Sequence, residues 1–349
     1  MLKPLPFTLL AAGAIALTAC QTTSDSTPPS AGSSDPALPG AGVTVTPANS
    51  DWIQEQFTTE IVNIGLEDLG YEVERIQQAD YAAILVSVAN GDFTYTTGLY
   101  LPQQREFFEN AGGDEALRTF DPLVPDSGQQ GLMVDKATSD EYDFTNLEQL
   151  KDPELAAQFD TDGNGKANLI GCQTGWACSE AIDHQIEAYD LQDTVEQDQG
   201  QYSVMLADVL TRYNQDDSVL FFAYTPHWIL SKLEPQEDVV WLEVPFTALP
   251  GELSDLSDAD TTVDGRNRGL PANPQYILTS EAFATEHPAA ASWFERVKVP
   301  SEDMDAESLR IEEGEDSAAD VRRHAEAWVE ENRDLVDGWL EEARQAADG

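Results

Sequence analysis

"GVTVTPANSDWIQEQFTTEIVNIGLEDLGYEVERI", residues 42–76, changes its hydrophobic period twice. Residues 42–47 alternate, which is the two-residue period of a strand. Ser50 and Asp51 then offer N-cap oxygens to a helix whose Ile53, Phe57, Ile61 and Ile64 share one face. Gly70 supplies a turn, and the stretch after it returns as a strand. Residues 81–92, "YAAILVSVANGD", predict a second helix, and residues 93–102, "FTYTTGLYLP", a third strand. Parallel neighbours need a crossover between them, so a β-α-β-α-β rhythm predicts an α/β fold with helices flanking a mostly parallel sheet.

The pattern continues outward from there. "QGLMVDKAT", "VLFFAYTPHWIL" and "DVVWLEVP" predict strands. "NLEQLKDPELAAQF", "GWACSEAIDHQIEAY", "YSVMLADVLTRYNQ", "HPAAASWFERV" and the long C-terminal "DVRRHAEAWVEENRDLVDGWLEEARQA" predict helices. That much chain carries two α/β lobes rather than one core. The expected crossings lie near Gln130 and Tyr276, giving lobe I from 41–130, lobe II from 131–275 and a return to lobe I over 276–349.

Upstream, "MLKPLPFTLLAAGAIALTAC" has one lysine, an apolar run and small residues, the pattern of a secretory signal too short to remain as a spanning helix. Its end, Leu17-Thr18-Ala19-Cys20, resembles the lipobox of bacterial lipoproteins. On that reading residues 1–19 are removed and lipid is attached to Cys20; the alternative is a plain signal with an incidental cysteine. Residues 20–40 are rich in Ser, Thr, Pro and Gly, a composition that buries too little surface to order itself. The expectation is a tethered protein, in the periplasm or at the cell surface.

Lys and Arg number 18 against 65 Asp and Glu, a formal net charge of -47. Phosphate binding needs basic patches, so nucleic acid is excluded as a partner. The acidic residues spread along the whole chain, which favours a solvated surface of the kind halophiles use over a store for polycations or metal.

Export makes Cys172 and Cys178 a candidate disulfide, since Cys20 is taken by lipid and two cysteines remain. A zinc site is the weaker reading, because two Cys and a nearby His184 are an incomplete set. The search for catalysis finds nothing. Of the four histidines none lies in a Gly-x-Ser-x-Gly or His-Glu-x-x-His context, and no phosphate-binding glycine loop follows a strand. A binder is expected, not an enzyme. Three aromatics fall at expected strand C-termini or helix starts: Tyr100, Trp176 and Trp228. Ligands gather at such places in α/β sheets, although each ring alone is also explained by core packing.

Just before the cysteines, "DTDGNGKANL" carries Asp160, Asp162, Asn164, Lys166 and Asn168. It matches the first half of an EF-hand loop, but Gly171 stands where the bidentate Glu belongs. A structural calcium and an Asx-rich turn are the two readings.

From about Leu38 to Ala347 the chain resembles the glycine betaine/proline betaine-binding proteins of ABC importers. The resemblance runs through "LPGAGVTVTPANS", "LGYEVERI", "ENAGGDEALRTF", the block from "LKDPELAAQFDTDGNGKANLIGC" to "QTGWACSEAIDHQ", "VVWLEVPFTALPG" and "HPAAASWF". It implies a two-lobed, type II binding-protein fold that closes on its ligand, an ABC permease as partner and no cofactor. It also implies a three-tryptophan box for a quaternary ammonium, with Trp176 and Trp228 at two positions and Tyr100 at the third. Gln104 stands where the family has a histidine that touches the ligand carboxylate, and the N–H groups of Ala177 and Cys178 are expected to serve the same carboxylate. Tyr retains a π face, so cation–π attraction survives the exchange. Choline, carnitine and ectoine are alternative ligands, and a calcium-binding surface lipoprotein is the rival function. A monomer is expected.

Overall fold

The computed structural model describes residues 38–50, 52–125, 127–174 and 176–347. Cys20, Asp51 and the linker expected before residue 38 lie outside the described residues. Two five-stranded sheets organise the rest. In chain order the strands are β1 (Pro47–Asn49), β2 (Gln77–Gln78), β3 (Tyr95–Tyr100), β4 (Leu117–Thr119), β5 (Gln130–Asp135), β6 (Ala167–Ile170), β7 (Val195–Asp198), β8 (Leu220–Tyr224), β9 (Val239–Trp241) and β10 (Gln275–Ser280).

The first sheet has the order β2-β1-β3-β10-β4 and the second β9-β5-β8-β6-β7. Both are mixed, not mostly parallel as expected. β1 runs parallel to β2 and β3, and β6 runs parallel to β7 and β8. β10 runs antiparallel to β3 and β4, and β5 antiparallel to β8 and β9. The antiparallel strands are those next to the crossings, where the chain enters a sheet from the other lobe instead of through a crossover helix on its own face.

Each sheet has its own core. One cluster runs from Leu132 to Leu270; two others join Val45–Val124 to Ile277–Ala343. The helices used below are α1 (Ile53–Asp68), α2 (Tyr81–Asn90), α3 (Ala177–Ala188), α4 (Tyr202–Tyr213), α5 (Pro288–Arg296), α6 (Ser301–Glu312), α7 (Ala318–Glu331) and α8 (Arg333–Ala347). Phe57, Ile61 and Ile64 bury one face of α1, as their spacing requires. The long C-terminal helical pattern is two helices that meet at Asn332. No helix among the described residues is long and apolar enough to cross a membrane.

A ladder of buried polar groups fixes α1 against the first sheet. Asn49 Nδ2 donates to Thr59 Oγ1 at 2.7 Å, and the hydroxyls of Thr59 and Thr97 lie 2.7 Å apart. Gln275 Nε2 donates to Thr58 Oγ1 at 3.0 Å and to the Thr97 carbonyl at 2.9 Å, which ties the returning strand to the same helix. Buried polar groups that are mutually satisfied specify one arrangement. The arrangement specified here is the position of the first turn of α1.

Candidate ligand-binding site

β3 and β8 end alike. Tyr100 is followed by Leu101-Pro102 and Tyr224 by Thr225-Pro226. Proline cannot donate to a ladder, so each strand stops at its tyrosine, and the ring stands at the strand's C-terminal end. The two tyrosines belong to different lobes, and Trp52 lies between them. Its ring centroid is 6.0 Å from that of Tyr100, tilted at 41°, and 5.7 Å from that of Tyr224, edge-on at 80°. Tyr81 extends the row beyond Tyr100 at 6.1 Å. On the other side Tyr202 stacks on Tyr224 at 5.7 Å, and Trp176 packs on Tyr202 at 5.5 Å. Six rings from two lobes thus form a continuous row.

Local chemistry sets each ring. Trp52 is the N-cap of α1, and its N–H donates to Ser50 Oγ at 3.1 Å, so Ser50 holds the turn without being the cap itself. Tyr202 opens α4 and donates its hydroxyl to the Phe222 carbonyl at 2.8 Å. Burial pushes the phenols of Tyr81, Tyr100, Tyr202 and Tyr224 well above their usual range, so the rings are neutral phenols. His227 packs edge-on to Tyr224 at 4.9 Å, and burial lowers its pKa to about 3. It therefore adds a neutral ring and no positive charge. The cation–π pairs within the protein are Arg118 over Phe120 and Arg268 over Trp241 among the described residues. Neither involves the row.

Of the three expected cage residues, the structure brings Tyr100 and Trp176 into the row and leaves Trp228 outside it. β8 does not extend to Trp228. Pro226 ends it at Tyr224, and Trp228 is only 3 % exposed in the core of its lobe, its N–H donated to Ser308 Oγ of α6 at 3.0 Å. Tyr224, not Trp228, is the ring at the C-terminal end of β8. The sequence signal was available in the shared pattern Tyr-x-Pro at residues 100–102 and 224–226. Trp52 had no such signal, because an N-cap position does not advertise an inter-lobe contact.

Gln104 is buried behind Tyr100 and accepts its N–H through Oε1 at 3.2 Å. α3 begins at Ala177, directly after Trp176, so the N–H groups of Ala177 and Cys178 belong to a first turn that has no intrahelical acceptors before it. Cys172 and Cys178 are disulfide-bonded, with Cα atoms 6.0 Å apart. The bridge joins the end of β6 to the first turn of α3 and closes the loop that carries Trp176.

The five residues of the Asp/Asn loop hydrogen-bond as follows. Asp160 Oδ1 accepts from the Gly163 N–H at 2.7 Å and Oδ2 from the Gly165 N–H at 2.9 Å. Asp162 Oδ1 accepts from the Asn164 N–H at 3.0 Å. Lys166 Nζ turns away to the Gln192 carbonyl at 2.7 Å, and Asn168 Oδ1 accepts from the Thr161 N–H at 2.8 Å. Backbone N–H groups of the loop donate to Asp160 and Asp162, the Asx-turn geometry. Among the described residues no group of three or more His, Cys, Asp or Glu side chains is placed to hold a metal.

Comparison with known proteins agrees with this architecture. Residues 43–331 match the family model described as the substrate binding domain of ABC-type glycine betaine transport systems. The chain is 43% identical over 311 residues to a glycine betaine-binding periplasmic protein of Dickeya dadantii, covering 89% of this chain and 92% of that one. It is 40% identical over 302 residues to the glycine betaine/proline betaine-binding periplasmic protein of Escherichia coli, covering 86% and 90%. Among solved structures, the glycine betaine/L-proline-binding protein of Borrelia burgdorferi superposes with a TM-score of 0.62 at 18% identity, over 87% of this chain and 99% of that one. An ABC-transporter choline-binding protein in complex with choline superposes with a TM-score of 0.61 at 17% identity, over 87% and 96%. These likenesses establish the fold as the two-lobed type II binding-protein fold. The chain belongs to the family of substrate-binding domains of ABC-type glycine betaine transport systems.

Proposed function

We propose that this protein captures glycine betaine, proline betaine or a closely related quaternary-ammonium zwitterion outside the cytoplasm and delivers it to an ABC permease. The observation that carries the reading is the row of rings spanning both lobes, with none of its faces engaged by an arginine among the described residues. A trimethylammonium has no N–H to donate, so hydrogen bonds cannot hold it. Ring faces can, at about 0.5–2 kcal/mol each. The first turn of α3 and the amide of Gln104 supply donors for a carboxylate at the other end. Because rings of both lobes contribute, a bound ligand favours the closed arrangement, which suits a receptor whose permease distinguishes loaded from empty protein.

A thermal-melt panel of glycine betaine, proline betaine, choline, carnitine and ectoine tests the ligand class. At a hundred-fold excess over Kd a ligand adds about 2.7 kcal/mol of stability, a rise of several degrees in Tm. The two betaines are expected to give the largest shifts. A panel in which ectoine alone stabilises the protein would remove the quaternary ammonium from the reading.

Tethering through Cys20 is part of the same proposal, supported by the lipobox-like ending and the polar stretch after it. Cys20→Ala is expected to move the protein from the membrane to the soluble fraction with its betaine affinity intact. Retention of the variant in the membrane fraction, read by immunoblot after fractionation, would contradict the anchor.

A further inference from the structure

Glu55 stands three residues past Trp52 on α1 and is only 1% exposed. Its carboxylate is surrounded by donors. Oε2 accepts from the Ser50 N–H at 3.0 Å and Ser50 Oγ at 2.9 Å, and Oε1 accepts from the Tyr81 hydroxyl at 2.5 Å. The buried phenol of Tyr100 also acts on the carboxyl, favouring its ionised form against the larger effect of burial. Partners that only donate are what an ionised carboxylate requires. The backbone also makes room for it. A Cβ at Gly98 on β3 would lie 2.9 Å from Oε2 and 3.2 Å from Cδ, so any residue larger than glycine there would press on the carboxylate.

What Glu55 lacks is a counter-ion. Among the described residues no lysine, arginine or histidine makes an ion pair with it, and burial pushes its carboxyl above the usual range. Buried charges are ordinarily paired. Here Tyr81, whose phenol donates to the anion, and Tyr100, whose phenol also acts on it, are rings of the row described above. A phenol that donates to a carboxylate takes on part of its negative charge, and in a low-dielectric interior that charge acts over longer range than in water.

We propose that Glu55 is the buried counter-charge for the ligand's cationic headgroup, acting through the phenols of Tyr81 and Tyr100 and making no contact with the ligand itself. This rests on the quaternary-ammonium reading and deepens it. The two rings face the site as donors already polarised by an anion, so tyrosine attracts the cation more strongly than its own quadrupole would. Glu55 is a positioning and polarising residue, and the bound cation completes the pair that the protein leaves open.

A pH dependence follows with a definite sign. A cation near Glu55 favours the ionised form, so affinity is highest above the carboxyl's pKa in the free protein and falls as pH drops through it. The groups facing Glu55 are Ser50 from the loop before α1, Tyr81 from α2 and Tyr100 from β3, with Tyr224 of β8 acting on the two tyrosines. The tyrosines stay neutral throughout the acid range. Asp305 of α6, raised to about 6 by burial, accepts the His227 N–H at 2.8 Å and is the other acid-range group adjoining the row.

Calorimetry with glycine betaine on the parent, Glu55→Gln, Tyr100→Phe and the double variant, at about pH 7.5 and pH 5, separates the possibilities. Glu55→Gln is expected to weaken binding about tenfold and to remove most of the acid sensitivity of the parent. Because the charge acts partly through Tyr100, the double variant is expected to lose clearly less than the product of the two single losses. An affinity within about twofold of the parent for Glu55→Gln, multiplying losses, or an unchanged acid profile would each overturn the proposal. Should Glu55→Gln not fold, Tyr100→Phe decides alone. A flattened acid profile supports the proposal, and the parental profile overturns it. A parent chain that does not bind glycine betaine at either pH overturns the ligand reading itself, an outcome distinct from failure of Glu55.

Discussion

Trp176→Ala is expected to lower affinity for glycine betaine about ten- to a hundred-fold, a loss of about 1–3 kcal/mol, while Trp228→Ala is expected to leave affinity close to that of the parent. The two tryptophans look equivalent in sequence, each beside a turn next to a helix. They differ in what surrounds them. Trp176 is half-buried at the end of the ring row, held by the disulfide-closed loop before α3 and packed on Tyr202. Removing its indole deletes one π face and admits water to the rest of the row. Trp228 is 3 % exposed, with the core of lobe II around it and His227 as its ring neighbour. Its removal creates a core cavity and appears as lost stability, of order 3–5 kcal/mol, not as lost affinity. Calorimetry and chemical denaturation on the same two variants make the contrast. A Trp228→Ala protein that folds as well as the parent but binds a hundred-fold more weakly would put Trp228 in the site and Tyr224 in the core.

The fold was legible because its period changes are strong. The strand–helix alternation over residues 42–102, the apolar face of α1, and the helices around Ala177 and Tyr202 all follow from spacing alone. The strand direction was not legible. Local pattern identifies β10 and β5 as strands but carries nothing about which lobe the chain has just left, and that history makes them antiparallel. The site divides in the same way. Trp176, Tyr100, Gln104 and the cysteine pair sit beside turns that the sequence marks. The strand expected to reach Trp228 stops at Tyr224, before Pro226, and leaves Trp228 outside the row of rings. Trp52, Tyr81, Tyr202 and Glu55 sit in ordinary helical first turns, where nothing distinguishes a ring aimed at a neighbour in the core from one aimed at a ring of the other lobe.

On the proposed function, the row of rings carries tyrosine at the ends of both strands and still includes two indoles. Trp52 brings an indole to the junction of Tyr100 and Tyr224, so the row keeps a tryptophan on each lobe. The junction depends on α1 holding its place, because Trp52 caps that helix and Glu55 lies in its first turn. Whatever fixes α1 to the rest of lobe I is therefore part of the binding apparatus, although it lies far from the ligand.

The largest such support is Trp293 of α5, and Trp293→Ala is expected to cost about 3–5 kcal/mol of folding stability. Its side chain is fully buried, and its Nε1–H donates to the Val62 carbonyl of α1 at 3.0 Å, joining residues 231 positions apart. The indole lies directly over Gly65. A Cβ there would stand 2.2 Å from Trp293 Cζ2, so glycine at this point in α1 is what lets α5 approach. Trp339 of α8 packs on the same indole at 6.2 Å, and α7 adds Arg322, which reaches Glu60 at 3.0 Å and Glu67 at 2.8 Å on α1. These ion pairs are partly exposed and contribute modestly, so the indole carries most of the attachment. Urea denaturation of Trp293→Ala should therefore show a lower midpoint, and its betaine affinity should fall with it, as α1 loses its backing and Trp52 its fixed position. Trp293→Phe, which keeps most of the volume and loses the N–H, should fall between the two. A Trp293→Ala protein with parental stability would mean that the C-terminal helices are not what holds α1. One that is destabilised but binds unchanged would separate the placement of Trp52 from the packing beneath it.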